Sequence, residues 1–360
     1  MINRIYIIIG LIFLVGCSSK QNLSTAKVEP VNSEAPTGHG LYYYLPKTAI
    51  QVEIIAEKRV QKAGPFYRFA QRFLNISDVI TENKVEWQII GAQVSTTGVR
   101  DSEKLFRVVS SGTPSMAALN LTKQGVLSGI NCKSTNDDLL EKVTTDEDEI
   151  IEASDINFND VPLTQEQLIK SSTAAMAEEV AQEIYNLRDM RKDIISGEVS
   201  VGDSPEVVLA EMDKLEQAYM SLFTGRVQTQ RVSRLYTYLA DSEKSVNTVL
   251  LRFSSEKGFL DKMDVSGTPV YFEMEVGEVA NQDFISLEDV KSSDNRGLAY
   301  NVPAPAQVRI VDRTLLLIKK EVALAQYGQL LRLPADLLDQ SNVGIELDEA
   351  TGALKRVFYK

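Results

Sequence analysis

"GLYYYLPKTAIQVEI" (residues 40–54) and "GLAYNVPAPAQVRI" (297–310) are the two stretches from which the fold is read. Aligned with one residue skipped, they share Gly, Leu, Tyr and Pro at 40/297, 41/298, 43/300 and 46/303, then Gln-Val-x-Ile at 51–54 and 307–310. Each carries a proline where a strand-like run begins. In the first, Ile50, Val52 and Ile54 alternate with Gln51 and Glu53, the two-residue period of a half-buried strand. Two explanations stand: an internal duplication giving two related β lobes, or convergence of two strands with similar entry turns.

Outward from the first copy, residues 39–136 read as mainly β. "GPFYRFAQRFLN" interrupts them with Phe66, Phe69, Ala70 and Phe73 at helical spacing behind Pro65. "KVEWQIIGAQVST" and "EKLFRVVSS" read as strands, and "AALNLTKQGVLSGIN" as a hairpin turning at Lys123-Gln124-Gly125. Residues 137–160 hold ten acidic residues against Lys142 alone, the composition of an exposed linker. Residues 161–225 carry two helical stripes. The first runs through Met176, Val180, Ile184 and Leu187 to a stop at Gly197. The second is opened by Ser204-Pro205 and closed by Gly225. A short glycine-containing loop between them predicts antiparallel packing.

Residues 226–360 return to the β pattern, with three strands expected over 297–330, although "TLLLIKKEVALAQ" also suits a helix. "VGIELDEATGALKRVFYK" closes the chain as a hairpin about 349–352. The expected fold class is therefore α+β: two β-rich lobes flanking an antiparallel helical hairpin.

The amino terminus has a different logic. Arg4 precedes an apolar run, Ile5–Val15, that is too short to cross a bilayer core of about 30 Å. Leu14-Val15-Gly16-Cys17 places small residues before a cysteine, the pattern of a lipoprotein signal. Removal of residues 1–16 and acylation of Cys17 would exchange the apolar run for a lipid anchor. Residues 17–38, rich in Ser, Thr, Asn and Pro, read as a flexible tether. Ser18 after the cysteine suits the outer membrane, with the folded part facing the periplasm.

Four segments, "GLYYYLPKTAIQVEI", "GPFYRFAQRFLN", "EIYNLRDMRKDIISGE" and "LEQAYMSLFTGR", resemble in order and spacing a family of Bacteroidota lipoproteins, domain of unknown function 4831. The resemblance spans nearly the whole mature chain. It implies an envelope protein of a Gram-negative bacterium and implies no catalytic residue, since the family has none assigned.

Composition narrows the chemistry. A net charge of −12 disfavours nucleic acid, and 44% hydrophobic residues suffice for a large core. Once Cys17 is lipidated only Cys132 remains, so no intrachain disulfide forms. His39 is the single histidine and sits at the tether's end, which argues against multi-histidine metal centres and a Ser-His-Asp triad. Ser254-x-x-Lys257 with Ser293-Asp294-Asn295 matches part of a penicillin-binding pattern, but no Lys-Thr-Gly follows.

The spacing of a calcium loop can be read in one place: Asp155, Asn157, Asn159 and Glu166 would hold positions 1, 3, 5 and 12, with Asp160 where glycine should turn the chain. Thr164 and Gln167 equally form a helix capping box. Tyr42, Tyr44 and Trp87 are the candidate aromatic platforms for a glycan. No cofactor is expected. The function expected is a non-enzymatic binding or assembly component, held to the membrane by its lipid beside an outer-membrane protein partner. The alternatives are a glycan or small-ligand binder and, behind it, a hydrolase built on carboxylates alone.

Overall fold

The computed structural model describes residues 26–31, 39–110, 118–132, 150–202, 204–241, 243–279 and 297–360. Cys17 with its leader, residues 137–149 of the acidic run and Ser293-Asp294-Asn295 lie outside the described residues. The first half contains β1 (Ala26–Pro30), β2 (Leu41–Lys62), α1 (Ala70–Leu74), β3 (Lys84–Ser110), β4 (Leu119–Leu121) and β5 (Leu127–Ile130). Helices α2 (Gln165–Leu168), α3 (Thr173–Ser196) and α4 (Pro205–Thr224) follow. The second half contains β6 (Arg226–Leu239), β7 (Ser245–Ser254), β8 (Gly258–Leu260), β9 (Thr268–Val276), β10 (Leu298–Asp312), β11 (Leu315–Leu333), β12 (Val343–Leu347) and β13 (Leu354–Tyr359).

The strands form three antiparallel sheets, in the orders β1-β3-β2-β6, β11-β10-β9-β7-β8 and β13-β12-β5-β4. Alternation decides which face is buried. Ile50, Val52, Ile54 and Ala56 of β2 enter one core with Val270, Phe272 and Met274 of β9 and Val308 and Ile310 of β10, so the first two sheets pack face to face. A second core joins Tyr43, Leu45 and Phe106 to Leu127, Ile130, Leu298, Val343 and Ile345, which seats the third sheet. A third gathers Phe66, Ala70 and Leu74 with Val180, Ile184, Tyr219, Leu222 and Phe223, which seats α3 and α4 on the α1 turn.

The two quoted stretches open β2 and β10, and both ladders break at the proline. Proline has no N–H to give to a ladder, so it sits at bulges. Between Tyr44 and Pro46 the partner β3 runs from Leu105 to Arg100, and between Val302 and Ala304 the partner β11 runs from Gln329 to Leu324. In each case the partner strand loops out by the same length. Just before each break an N–H reaches a glycine carbonyl in a following hairpin: Tyr44 to Gly125 and Asn301 to Gly352, both at 3.0 Å.

Several expectations need correction. The two strands expected within 84–110 are one, β3, and 297–330 gives two long strands rather than three. "TLLLIKKEVALAQ" lies in β11; Val322 and Leu324 are buried while Lys319 and Glu321 are exposed, the period of a strand. The boundary at 226 falls inside a sheet, because β6 pairs along β2 from Ala49 to Lys62. The third sheet likewise takes two strands from each half of the chain.

Residues 150–160, read as linker, pack on the first sheet. Ile156 is buried, Lys58 pairs with Glu152 at 2.9 Å, and Arg226 holds Asp160 at 2.7 Å. Residues 26–30, read as tether, form β1, because Val28 fits the second core and Arg332 donates to its carbonyl at 3.3 Å. Among the described residues no helix is long and apolar enough to cross a membrane.

Strand β1 is also held by charge. Hydrogen bonds from Lys27 and Arg107 hold the Glu29 carboxyl at about 2, well below its ordinary 4.5. Its contribution to the fold is therefore fully present above pH 4.5 and is lost as pH falls toward 2. Hydrogen exchange, corrected for intrinsic rates, should show β1 amides losing protection over that window while β2 amides keep theirs. Parallel behaviour of the two strands would refute this.

Candidate functional site

Trp87 does not meet the two tyrosine candidates. Tyr42 is half-buried and accepts from Arg107. The Tyr44 ring lies beside Gly125, with the Arg100 guanidinium 5.0 Å above it. Trp87 is only 9% exposed, wedged between Gly258 and Phe259 with the Lys58 amine 5.4 Å over its ring. Tyr44 faces Leu105 across the first sheet and Trp87 faces Lys58, fourteen residues further along β2. At about 3.3 Å per residue they stand about 45 Å apart, too far for one sugar platform.

The calcium-loop residues are tied into local turns. The Asp155 carboxylate accepts from the Glu152 amide at 2.6 Å, and Asn157 Oδ1 accepts from the Asn159 amide at 3.0 Å. Asp160 is held below the usual carboxylate range by its hydrogen bond from Arg226. Thr164 and Gln167 form the capping box: Thr164 Oγ1 accepts from the Gln167 amide, and Gln167 Oε1 from the Thr164 amide at 2.8 Å. Glu166 lies in the first turn of α2 that this box opens. Among the described residues no three His, Cys, Asp or Glu are grouped to hold a metal ion.

Ser254 Oγ accepts from the Glu256 and Lys257 amides in the β7–β8 turn, the ordinary use of a serine beside a tight hairpin. His39 is exposed just before β2. Cys132 packs above Gly129 and receives a hydrogen bond from Asn120 at 3.2 Å.

One polar cluster escaped sequence reasoning. Where β2 and β10 approach the 348–353 turn, Asn301 is wholly buried. Its Nδ2 donates to the carbonyls of Pro46 at 3.2 Å and Thr351 at 2.9 Å, and its Oδ1 accepts from Lys104 at 3.2 Å. Beside it Thr48 donates to Ala350 O at 2.8 Å, while Gln326 bonds both the Thr48 amide and carbonyl. Burial pushes the Lys104 amine below the usual lysine range, with Lys47 adding to the effect and Asp101 opposing it. The available signal was an asparagine inside the apolar run "LAYNVPA", where the first copy has Tyr44. Every amide group of Asn301 is engaged by protein, so the cluster works as a clasp between strands rather than as a reaction centre.

The helices leave a different kind of surface. Arg188 pairs with Glu216 at 2.7 Å and Arg191 donates to Asp213 at 3.2 Å, side by side along α3 and α4. Gly197, at φ 82°, ends α3 in the left-handed conformation that glycine adopts without strain. At this end Ile195 is 67% exposed, Val199 43% and Val207 62%, none of them within the three cores. Glu198 and Glu206 are exposed beside them.

A family model described as Domain of unknown function (DUF4831) matches residues 39–355. No curated protein and no solved structure matches the chain.

Proposed function

The chain belongs to the DUF4831 family, and we propose that it is a lipid-anchored, non-enzymatic assembly component of the bacterial outer membrane, its folded part facing the periplasm. The observation that carries this reading is the far end of α3 and α4, where aliphatic side chains stand in solvent beyond every core. Isolated exposed aliphatics are common, and the reading rests on three of them falling within residues 195–207, between the end of α3 and the start of α4. The lipid confines that surface near membrane partners, which raises its effective concentration for them. Within the same reading, α3 and α4 are an antiparallel hairpin and the β2–β3 and β10–β11 pairs descend from one duplicated unit. The equal loop-outs at Pro46 and Pro303 support this. An experimental structure in which the two bulges fail to superpose would sink the duplication.

The anchor is tested by Cys17→Ser. The variant, carried on a leader that the general signal peptidase cuts before residue 17, should move from the membrane fraction to the soluble periplasmic fraction almost completely, because no lipid then holds it. Unchanged membrane association defeats the anchor. Gentle solubilisation of the tagged wild type, followed by mass spectrometry, should return a stoichiometric membrane partner; a lone protein would defeat the assembly role.

A further inference from the structure

The α3–α4 end combines three features. Its centre is aliphatic: Ile195, Val199 and Val207 are exposed, and no aromatic ring is among them. Its rim is acidic: among the described residues from 192 to 207, Asp193, Glu198 and Glu206 stand against Lys192 alone. It also lies far from the chain's entry point. Strand β1 enters the first sheet with Ala26 opposite Ser110, at the end where β2 begins, whereas the helices join at the other end, beyond Lys62 and before Arg226. The 22 residues of β2 separate the two ends by about 70 Å. The tip is separated from the start of β6 by the 20 residues of α4, about 30 Å along the helix. From Cys17 to Ala26 the chain can reach at most about 30 Å.

These features select among occupants. A bilayer would bring anionic phosphates against the acidic rim, and an anchor at the opposite end with a short reach does not draw the tip down to it. A glycan is held by stacking on rings and by hydrogen bonds, which three aliphatic side chains do not offer. A polypeptide with apolar side chains flanked by Lys or Arg satisfies both the centre and the rim: the aliphatic contact supplies burial, and the opposite charges supply steering and register. We propose that the α3–α4 end is the docking site for such a basic, apolar protein segment, presented to it away from the lipid surface. This rests on the reading of the chain as an assembly component.

The test places a photo-reactive side chain at Val207 in the full-length chain in living cells, with one at Lys319 on the exposed face of β11 as control. The Val207 probe should form an adduct with one polypeptide, mapping to a stretch where apolar residues adjoin Lys or Arg. Glu198→Lys combined with Glu206→Lys should cut the yield at least tenfold with a thermal midpoint lowered by no more than a few degrees, because both glutamates are solvent-exposed and only Glu206, in the first turn of α4, loses a favourable helix-dipole contact. An adduct with lipid or glycan, a partner stretch without basic residues, equal yield from the Lys319 probe, no adduct at all, or a yield indifferent to the charge reversal would each overturn the proposal. The same probe in the Cys17→Ser background separates the two readings. A specific adduct from a protein whose membrane association never depended on Cys17 keeps the docking site and removes the anchor. Loss of the specific adduct in a correctly anchored protein removes the docking site alone.

Discussion

Replacing Asn301 by leucine should lower stability by about 3 kcal/mol or more, read as a fall in the denaturant midpoint at unchanged slope. Leucine keeps the branched shape and is the larger of the two, so no cavity opens; the loss comes from the broken hydrogen bonds, with some crowding added. The carbonyls of Pro46 and Thr351 lose their donor, and the Lys104 amine loses its acceptor. A buried polar group without a partner costs about 1–3 kcal/mol, and the Lys104 amine relieves part of its share by turning to water, since it is only half-buried. Lys104→Met should therefore cost much less than Asn301→Leu, and the double variant should cost less than the two single changes together, because they share one bond. An Asn301→Leu protein within about 0.5 kcal/mol of wild type would show that the amide is not what joins β2 to the 348–353 turn.

The same residue marks how far the sequence could be read. Alternation located β2, β6, β7 and β9, because burying one face of a sheet imposes a period of two whatever lies opposite. Gly197, Ser204-Pro205 and Gly225 gave the helix ends, because the backbone conformation there is set locally. Pairing between distant segments was not local, and there the expectations slipped. Nothing in residues 226–239 says that they complete a sheet begun by β2 rather than one of their own. Nothing in 26–30 distinguishes a solvated tether from an edge strand except Val28, the one large aliphatic side chain beside Ala26, Lys27, Glu29 and Pro30.

The candidate sites divide along the same line. The capping box was one of two readings of "LTQEQ" and is the one formed, since it needs only four consecutive residues. Whether Trp87 was a platform or core depended on Phe259 and Gly258, more than 170 residues away in sequence. Asn301 could be noticed as an anomaly, but its partners lie at positions 46, 104 and 351.

Gly98→Ala should be the most damaging single methyl group that can be added to β3, costing about 3 kcal/mol, whereas Gly91→Ala in the same strand should be neutral or slightly stabilising. Neither glycine has the left-handed backbone that would itself require glycine, so the difference is one of space. A Cβ on Gly91 meets nothing within 4 Å. On Gly98 it would stand 2.0 Å from the Glu349 carbonyl oxygen and 3.2 Å from Ala350 Cα, both backbone atoms of the turn that closes the clasp. The turn cannot yield by rotating a side chain; it must lift. Lifting it breaks the Thr48 bond to Ala350 and both Asn301 bonds to Thr351 and Gly352 together. The methyl group thus acts through the same polar contacts as Asn301, and in the Asn301→Leu background its cost should shrink by about half. Equal losses for Gly91→Ala and Gly98→Ala would mean that β3 is sensitive to any added methyl. Full additivity with Asn301→Leu would mean that the turn and the clasp are held independently.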